Sequence, residues 1–596
     1  MKLKKAEECG LDCRYNGRWR DSQYLKDNNA FRIRERVNMD YCSEAIWQAP
    51  RREDGEIGKL VAAVRDSVLR DDPNTTSYYL QRVTRVKTAQ EMTSLIWEMT
   101  LDGLPTLYDL SVERVNPDEG PGERPAGLYL QPLEPWQPDT KTLLEIHRLG
   151  QKLQIPYDHL QFWQGIWETG KLLSEGTIDP EVVRLQGDTS RVWDRQQFQQ
   201  TYSIAGLWKG LPDTRILWDS PEYWNLLERL FGLWWDQWKE SLKIYIYACL
   251  LRTFWWYMPD DQTSGEDVVY WAVEALLPDY LQGLVLESVN RGDVQDVREM
   301  AETMRRVMHQ AVQRGSVYTE KSRRGALVKL EQMEIVIGLP HRMYRMESVP
   351  SELLQQSFWV LWREIHRHYW KVCQKLLQID LPKDYISTDR ESFGHIVNAF
   401  YLPTSNTVLI PPSIIGAPFC CRKDPWVKYG SLGVIIGHEI CHALDIHGSR
   451  YDASGRYRLW WDLETKERYY HQLSKMIRHY ASLRLAHQSL SWRMTTGEDF
   501  SDVCGIQLAL AACREKHGGG EPEDWRSFFR SWSQTMRSNR KGESLQLQLS
   551  TDVHSPGQIR AEAPFSHIEL FYRAYDLQPG EPGWLDPSDR AFFVSF

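Results

Sequence analysis

The sequence predicts a mainly α-helical fold with a small β component (α+β), and two patterns carry this prediction. Helical periodicity of apolar residues covers several long stretches of the chain, whereas short strand patterns are few. The helical stretches are 201–248, 266–277, 293–313 and 351–379. The strand patterns are Ala126–Gln131 and Thr407–Ile410. The fold class is therefore expected to rest on helix packing, with strands as minor additions.

The helical stretches differ in character. Residues 201–248 are rich in Trp, Tyr and Leu, while 266–277 and 293–313 alternate apolar and polar residues at helical spacing. Pro278 marks the end of one of these helices, because proline lacks the N–H that a continuing helix needs. The longest apolar run, Ile244–Met258, is interrupted by Arg252 and is too short to span a bilayer. No membrane partner is therefore expected.

The size and charge of the chain limit its partners. It has 596 residues, enough for several domains and a large core, with a net charge of −9 and a pI near 6.0. Mild acidity without a basic stripe argues against binding to a nucleic-acid backbone. No nucleic-acid partner is therefore expected, and the chain is expected to be a monomer.

The cysteines and the N-terminal residues predict a cytoplasmic location. The ten cysteines show no regular spacing and no C-x-x-C pair, which favours free thiols in a reducing compartment. The basic cluster Lys2-Leu3-Lys4-Lys5 is not followed by an apolar run, so neither a signal peptide nor an anchor is expected. Export by a non-standard route, with Cys9 and Cys13 as a pair, stays open as the alternative.

The most informative motif is His438-Glu439-Ile440-Cys441-His442, an H-E-x-x-H pentapeptide. On a helix, residues four apart lie on one face, so both imidazoles can point at one ion. Glu439 follows the first histidine directly and can place its carboxylate beside a water on that ion. Two nitrogen ligands, an open position and an adjacent base are what zinc-dependent amide hydrolysis requires. The motif therefore predicts a zinc site, the alternative being a helix with two incidental histidines.

A third ligand is expected on a second helix, at residues 496–505. Glu498 and Asp502 are four apart and share a helix face, so Glu498 can bind the ion while Asp502 accepts a ring N–H from a ligand histidine. Asp445, three residues after His442, can do the same for the second histidine. The alternative is a helix N-terminus that favours acidic residues because of its dipole, and Asp499 stays open as the ligand in place of Glu498.

These residues resemble the neprilysin family of zinc metallopeptidases, glutamate-zincins that include bacterial oligopeptidases. Two further blocks, in the family's order, add to the pentapeptide and the Gly-Glu-x-x-x-Asp segment. One begins at Val397-Asn398-Ala399-Phe400-Tyr401, and the other is Asp552–Arg560. Weaker similarity extends to Tyr15–Trp19 and to Lys329–Pro340. The resemblance therefore covers most of the chain, faintly in its first half.

The resemblance implies one Zn²⁺ ion per chain, with His438, His442 and Glu498 as its ligands. It makes Glu439 the general base, which polarises the attacking water and later passes a proton to the leaving amine. The general chemistry of zinc is consistent with a water nucleophile, because a zinc ion lowers the pKa of a bound water to about 7 and so supplies a nucleophile at neutral pH.

The resemblance also implies roles for residues around the ion. Asp445 and Asp502 orient the two histidine rings. His554 stabilises the negative charge that develops on the substrate oxygen, an effect worth about 3 kcal/mol for comparable donors. Arg560 binds a substrate carbonyl on the primed side. Taken alone, each of these residues is an ordinary polar or charged side chain, and only its place in the set assigns it a role.

Substrate-binding positions follow from the same resemblance. Asn398 and the carbonyl of Ala399 hold the substrate main chain as an added strand, a mode that gives affinity without reading sequence. Positions that match the family's apolar primed-side pocket are Ile414, Phe419, Val434 and Ile435. With that pocket retained, cleavage is expected before a hydrophobic residue.

The implied architecture has two lobes around a central cavity, a thermolysin-like catalytic lobe and a helical capping lobe. The expected boundaries are 1–75 for the N-terminal part of the catalytic lobe, 76–345 for the capping lobe and 346–596 for the zinc-binding part of the catalytic lobe. A closed cavity admits peptides, excludes folded proteins and strengthens the electrostatic interactions around the ion.

The expected function is that of a zinc-dependent endopeptidase or oligopeptidase acting on short peptides. One alternative is a scaffold recruited to a biosynthetic reaction on a small non-peptide substrate. It is favoured by Gly416-Ala417 and Cys420, which differ from the usual residues of relatives beside the pocket. A second alternative is a catalytically silent peptide-binding protein, against which the intact Glu439 argues.

Overall fold

The structure is a computed structural model that describes most of the chain. The described residues are 30–48, 55–70, 77–114, 126–133, 135–136, 140–176, 191–202, 204, 213–218, 220–257, 264–338, 351–379, 395–419, 424–456, 458–485, 488–489, 492–538, 540, 542–594 and 596. The resembling segment Tyr15–Trp19, the residues Cys9 and Cys13, and Cys420 lie outside these ranges.

Helices make up most of the described residues, which confirms the predicted mainly α fold. The first helices are α1 Ala30–Gln48, α2 Gly55–Val68, α3 Ser77–Arg85, α4 Ala89–Leu101, α5 Thr140–Lys152, α6 His159–Gly176, α7 Arg195–Thr201, α8 Pro221–Phe231, α9 Trp235–Trp256, α10 Gly265–Leu276 and α11 Pro278–Ser288. They are followed by α12 Arg291–Arg314, α13 Glu320–Glu331, α14 Phe358–Leu376, α15 Pro425–Lys428, α16 Val434–Cys441, α17 Leu463–Ser482, α18 Trp492–His517, α19 Pro522–Met536, α20 Gly542–Thr551, α21 Gly557–Arg560 and α22 Glu569–Tyr575.

The strands form small sheets. They are β1 Tyr108–Arg114, β2 Ala126–Pro132, β3 Arg191–Asp194, β4 Arg215–Trp218, β5 Glu334–Ile337, β6 Phe400–Leu402, β7 Thr407–Ile410, β8 Arg484–Leu485 and β9 Gln488–Ser489. One sheet has the order β1-β2-β4-β3, a second has the order β5-β7-β6, and β8 pairs with β9. In the second sheet β5 runs parallel to β7, and β6 runs antiparallel to it.

Most of the elements predicted from periodicity are present. The strand patterns at Ala126–Gln131 and Thr407–Ile410 become β2 and β7, and the helices predicted at 266–277 and 293–313 become α10 and α12. The prediction of helices throughout 201–248 was wrong in one part, because that stretch includes strand β4. Trp218 in β4 is buried and packs edge-on against Trp193 in β3 at 4.8 Å, so tertiary packing of a large aromatic favours the strand.

The chain divides into two compact units, each built from more than one stretch. The first comprises Met1–Asp40, Val285–His341 and Phe393–Phe596, and it contains the H-E-x-x-H segment. The second comprises Tyr41–Leu284 and Arg342–Ser392. In the second unit a buried carboxylate, Asp102, accepts hydrogen bonds from Tyr79 and from the guanidinium of Arg367, which joins helices α4 and α14.

Helix α16 carries the pentapeptide through the core of the first unit. Its sequence, Val434 to Cys441, is rich in β-branched residues that favour strands locally, yet all eight residues are buried in a helix. Packing on every side therefore overrides local preference, as it does for helices that are apolar all round. A short π-helical turn, Tyr429–Gly433, leads into α16, and the 3₁₀ turn His442–Leu444 ends it.

Two glycines allow α16 to cross α18 at very short range. A Cβ atom on Gly505 would lie 2.6 Å from the backbone nitrogen of His438, and one on Gly437 would lie 2.7 Å from the carbonyl oxygen of Gly505. Real Cβ atoms do not approach backbone atoms so closely, so the crossing exists only because both positions lack a side chain. The crossing brings the two segments with the predicted metal ligands side by side.

None of the helices in the described ranges combines the length and the apolar character that crossing a membrane requires.

We expect Gly505→Ala to destabilise the protein. Replacing a helical glycine by alanine ordinarily stabilises by about 1 kcal/mol, but here the methyl group meets the backbone of His438, and overpacking of this kind costs roughly 1–3 kcal/mol. Urea unfolding of the metal-free protein measures the difference. Gly519→Ala is the matched control, since no atom lies within 4 Å of the added methyl there. Equal stability of the two variants would contradict the crossing.

Candidate active site

Helix α18 places Glu498, Ser501, Asp502 and Gly505 on one face, at the i, i+3, i+4 and i+7 spacing of a helix. Gly505 is the contact point with α16, so the other three side chains face the histidines of the pentapeptide. The predicted helical positions of Glu498 and Asp502 are thus observed in the structure. The site is assembled from two helices whose relative placement is fixed by backbone contact.

Three predicted ligand atoms converge at the centre of the site. Nε2 of His438 lies 2.9 Å from Nε2 of His442 and 3.0 Å from Oε2 of Glu498. Nε2 of His442 lies 3.4 Å from the same carboxylate oxygen. Corners of a tetrahedron with bonds of 2.0–2.1 Å are about 3.3 Å apart, so this spacing is close to that of ligands around one zinc ion.

The outer nitrogens of both histidines face carboxylates. Nδ1 of His438 lies 2.9 Å from Oδ1 of Asp502, and Nδ1 of His442 lies 2.7 Å from Oδ2 of Asp445. A carboxylate accepts and does not donate, so each Nδ1 carries the proton and each Nε2 of a neutral ring presents a lone pair. Two lone pairs and the Glu498 carboxylate therefore point at one another, an arrangement that repels itself and fits a cation between them.

The electrostatics of the cluster favour positive charge at its centre. Burial works to lower the pKa of His438, but its hydrogen bonds with Asp502 and Glu498 outweigh burial and raise that pKa. Burial likewise opposes charge on His442, yet the charge of Glu498 and the hydrogen bond with Asp445 hold its pKa well above the usual value. Burial works to raise the pKa of Glu498, but the facing histidines hold it well below its ordinary range.

Glu439 lies beside this cluster. It is buried, with 7% of its surface exposed, and one of its carboxylate oxygens lies within 4.8 Å of ligand atoms of His438 and His442. The structure thus keeps the predicted base next to the two histidines. Among the described residues, Glu498 rather than Asp499 has a carboxylate oxygen grouped with a histidine nitrogen. Asp499 accepts a hydrogen bond from Thr495 at 2.7 Å.

His554 approaches the cluster from the segment ahead of α21. Its Nε2 lies 3.2 Å from Oε2 of Glu498, and its Nδ1 lies 3.2 Å from Oδ1 of Asp552. Burial works to lower its pKa, but the charge of Glu498 and the hydrogen bond with Asp552 outweigh this and raise the pKa to about 9. Its side chain remains 39% exposed, so the ring stands between the cluster and open space. A cationic ring there is a hydrogen-bond donor.

The sequence did not predict that Arg560 pairs with Asp502. Its Nε and Nη2 both donate to the carboxylate of Asp502, each at 2.8 Å, in a two-pronged contact. Burial works to raise the pKa of Asp502, but the charge of Arg560 and the hydrogen bond with His438 lower it to about 2. Arg560 therefore holds Asp502 charged, and Asp502 in turn contacts His438. The Nη1 group is not engaged by Asp502.

The predicted substrate-binding segment lies at a sheet edge. Asn398 is exposed and Ala399 is buried, immediately ahead of β6. Strand β6 pairs with β7 alone among the described strands, so its second edge is not covered by another of them. Unpaired backbone groups along the edge of a sheet can accept an extended chain.

The four residues predicted to line an apolar pocket are all in the core of the first unit. Ile414 and Val434 are fully buried, and Phe419 and Ile435 are nearly so. Phe419 packs edge-on against Phe31 of α1 at 5.1 Å. Nearby, the buried guanidinium of Arg34 donates to the carbonyls of Ser413 and Ile415, which fixes the loop that carries Ile414.

Sequence reasoning missed two neighbours of the cluster, Ser501 and Asp552. The hydroxyl of Ser501 lies 3.1 Å from Nδ1 of His442, and Asp552 contacts both the ring and the backbone N–H of His554. The helix spacing gives a signal for Ser501, because it lies three residues after Glu498 and on the same face. Asp552 follows from an Asp-x-His turn, in which the carboxylate accepts from the backbone two residues later.

Known proteins are similar to this chain in sequence and in fold. Residues 398–591 match the model of Peptidase family M13. The chain is 23% identical to zinc metalloproteinase R519 of Acanthamoeba polyphaga mimivirus over 98% of this chain and 97% of that protein. It is 26% identical to the neutral endopeptidase of Lactococcus lactis subsp. lactis, over 50% of this chain and 46% of that protein.

The fold is similar to that of the Mycobacterium tuberculosis zinc metalloprotease Zmp1, solved with an inhibitor. The TM-score is 0.84 at 18% identity, and the similarity covers 98% of this chain and 97% of Zmp1. The predicted two-lobed protease fold is thereby confirmed. The matching segment includes the site described above, so the predicted resemblance of the chain to peptidase family M13, the neprilysin family of zinc metalloendopeptidases, is confirmed.

Proposed function

We propose that this protein hydrolyses short peptides, with His438, His442 and Glu498 holding one zinc ion and Glu439 acting as general base. The observation that carries the proposal is the convergence of two Nε2 lone pairs and one carboxylate oxygen, 2.9–3.4 Å apart, with the Glu439 carboxylate beside them. A zinc ion bound there polarises the substrate carbonyl and lowers the pKa of water to about 7.

Glu439 accepts the proton of the attacking water and delivers it to the nitrogen of the leaving amine. Its carboxylate lies within 4.8 Å of the ligand atoms of His438 and His442, which supports this role. Burial of the carboxylate keeps bulk water away and strengthens its interactions with the reacting groups. Asp502 and Asp445 meanwhile hold the Nδ1 protons of the histidines, which keeps each Nε2 free to bind the ion.

His554 is the proposed donor to the substrate oxygen as negative charge develops on it. Its ring lies at the exposed side of the cluster and is held by Asp552, so it is oriented before the substrate arrives. Arg560 uses two of its nitrogens to hold Asp502, and we assign the Nη1 group to a substrate carbonyl. The guanidinium then orients the ligand helix and the peptide together.

The peptide is proposed to bind as an added strand along β6, held by the side chain of Asn398 and the carbonyl of Ala399. Main-chain hydrogen bonds of this kind accept many sequences. Specificity is proposed to come from the loop and helix that carry Ile414, Phe419, Val434 and Ile435, with cleavage before a hydrophobic residue. The name of the related neutral endopeptidase also supports a peptide substrate.

We place the protein, as a monomer, in a reducing compartment, and the cytoplasm is the proposed location. Five of the described cysteines, namely Cys42, Cys249, Cys441, Cys504 and Cys513, are free and buried. Buried unpaired thiols fit a compartment where thiols stay reduced.

Glu498→Ala is expected to lose most of its zinc affinity, because one of three converging ligand atoms is removed. Dialysis against a weak chelator followed by metal analysis measures the bound zinc. Asp499→Asn is the matched control. Asp499 follows Glu498 directly on the helix but contacts Thr495, so its replacement leaves the three ligand atoms in place. Full zinc occupancy in Glu498→Ala would show that another residue binds the ion.

Glu439→Gln is expected to retain zinc and to lose nearly all turnover, since the amide has almost the same shape but cannot accept the proton. Purified zinc-loaded wild type and variant are incubated with a mixture of short peptides, and products are read by mass spectrometry. Cleavage by wild type alone supports the mechanism and gives the primed-side preference. Unchanged turnover in the variant would exclude Glu439 as the base.

His554→Ala is expected to lower kcat about 100-fold or more, the usual effect of removing one oxyanion donor, with a smaller change in KM. Steady-state kinetics on the best peptide from the mixture separate the two parameters. His554→Gln keeps a donor of similar reach and should recover part of kcat. A change confined to KM would reassign His554 to ground-state binding.

A further inference from the structure

A buried lysine contacts the turn that follows the helix with the pentapeptide. Lys329, in α13, is fully buried, and its Nζ donates to the carbonyl oxygens of Gly448 and, at 2.7 Å, Tyr451. The same nitrogen lies 5.6 Å from the centre of the Tyr401 ring. Within the described part of the chain, no carboxylate forms an ion pair with it. The ammonium therefore donates both of these hydrogen bonds to the backbone of one turn.

That turn is the one that supports His442. Oδ1 of Asp445 accepts the backbone N–H groups of His447, at 2.7 Å, and Gly448, at 2.6 Å, while Oδ2 faces Nδ1 of His442 at 2.7 Å. A Cβ atom on Gly448 would lie 1.8 Å from the carbonyl oxygen of His442, so the turn is packed directly against the end of the helix. Successive contacts thus lead from Lys329 through Gly448 and Asp445 to His442.

The backbone of the same lysine supports the sheet edge. The amide of Asn406 donates to the carbonyl of Lys329 at 2.9 Å, and the hydroxyl of Tyr401 donates to Asn406 at 3.0 Å. Tyr401 belongs to β6, the edge strand beside Asn398. Asn406 itself is fully buried and has a left-handed backbone with φ of 53°, which is held by these bonds.

A lysine at this position is costly to bury. Burial lowers the pKa of Lys329 to about 7, and the charges of Asp445 and Asp452 only partly offset that effect. A methionine has a similar length and would fill the same space without desolvating a polar group. Local choices that oppose stability are typical of functional sites, where another requirement is met instead. Here the contacts of Nζ indicate what that requirement is.

We propose that Lys329 is a positioning residue for the active site, holding the 445–451 turn in the form that orients His442 for metal binding. The inference rests on the proposed function, in which His442 is a zinc ligand. The side chain of Lys329 holds the turn that supports His442, and its backbone carbonyl holds the strand proposed to bind the peptide. Loss of the side chain alone should therefore affect the metal first.

Lys329→Met is the first test, and it is read on zinc and on cobalt as well as on turnover. Zinc affinity, measured by competition with a chromophoric chelator, should fall 10–100-fold, as it does when partners of ligand histidines are removed. The visible spectrum of the cobalt-substituted protein should change, because His442 is less well oriented. At saturating zinc, kcat should fall more than KM rises. Unchanged zinc affinity and cobalt spectrum would overturn the proposal.

The matched control is Lys243→Met in the other unit. Lys243 is also buried and donates to Glu240 at 2.9 Å. Its replacement should leave zinc affinity and the cobalt spectrum unchanged. An equal effect of both variants would mean that any buried lysine matters, which would also overturn the proposal. Far-UV circular dichroism checks folding, and Lys329→Gln, which keeps a donor, replaces Lys329→Met in all measurements if the latter does not fold.

A double variant tests whether Lys329 acts through Asp445. If both residues act through the same turn, Lys329→Met combined with Asp445→Asn should lose little more zinc affinity than the more affected single variant. A loss equal to the product of the two single losses would overturn the proposal. The wild-type protein separates failure of the proposed function from failure of the proposal for Lys329. Failure of wild type to bind zinc removes the proposed function, whereas normal wild type with a normal Lys329→Met removes this inference only.

Discussion

The geometry of the active site depends on one close contact between helix backbones, at Gly437 and Gly505. Each glycine would place a methyl group within 2.7 Å of the other helix's backbone, so no side chain can separate the two helices. His438 follows one glycine directly, while Asp502 and Glu498 lie about one and two turns, respectively, from the other, on the same helix face. Because backbone contacts are rigid, the distances among His438, Glu498 and Asp502 follow from the crossing itself.

Around this crossing, charges of opposite sign alternate. Arg560 pairs with Asp502, Asp502 with the ring of His438, and Asp445 with the ring of His442. Any one of these groups would be expensive to bury alone, and each is satisfied only because its neighbour is present. The network is thus a unit, and removal of one member leaves a buried charge without a partner. Precise orientation of the histidine nitrogens is what the arrangement achieves, at some expense of stability.

The residues at the centre of the site could be predicted from the sequence, but several contacts around them could not. His438, His442, Glu498 and Asp502 were predictable because helix spacing of three and four residues converts directly into a shared face. The pairing of Arg560 with Asp502 joins residues 58 apart, and the hydrogen bonds of the Lys329 ammonium span more than a hundred residues, so no local pattern encodes them. Strand β4 was missed for a similar reason, since aromatic packing with β3 decides its conformation.

The raised pKa values of the histidines and the affinity for a metal ion have one cause. Four carboxylates, those of Asp445, Asp502, Glu498 and Glu439, surround the rings, and among the described residues only Arg560 forms an ion pair with one of them as a permanent cation. Such a field attracts protons to Nε2, and it attracts a divalent cation to the same lone pairs more strongly. At the proposed zinc site, protons and metal therefore compete for His438 and His442, so that zinc affinity should weaken as the pH falls through the range in which these rings bind protons. The carboxylates that hold Nδ1 thus contribute twice, by orienting each ring and by supplying the field that draws the ion.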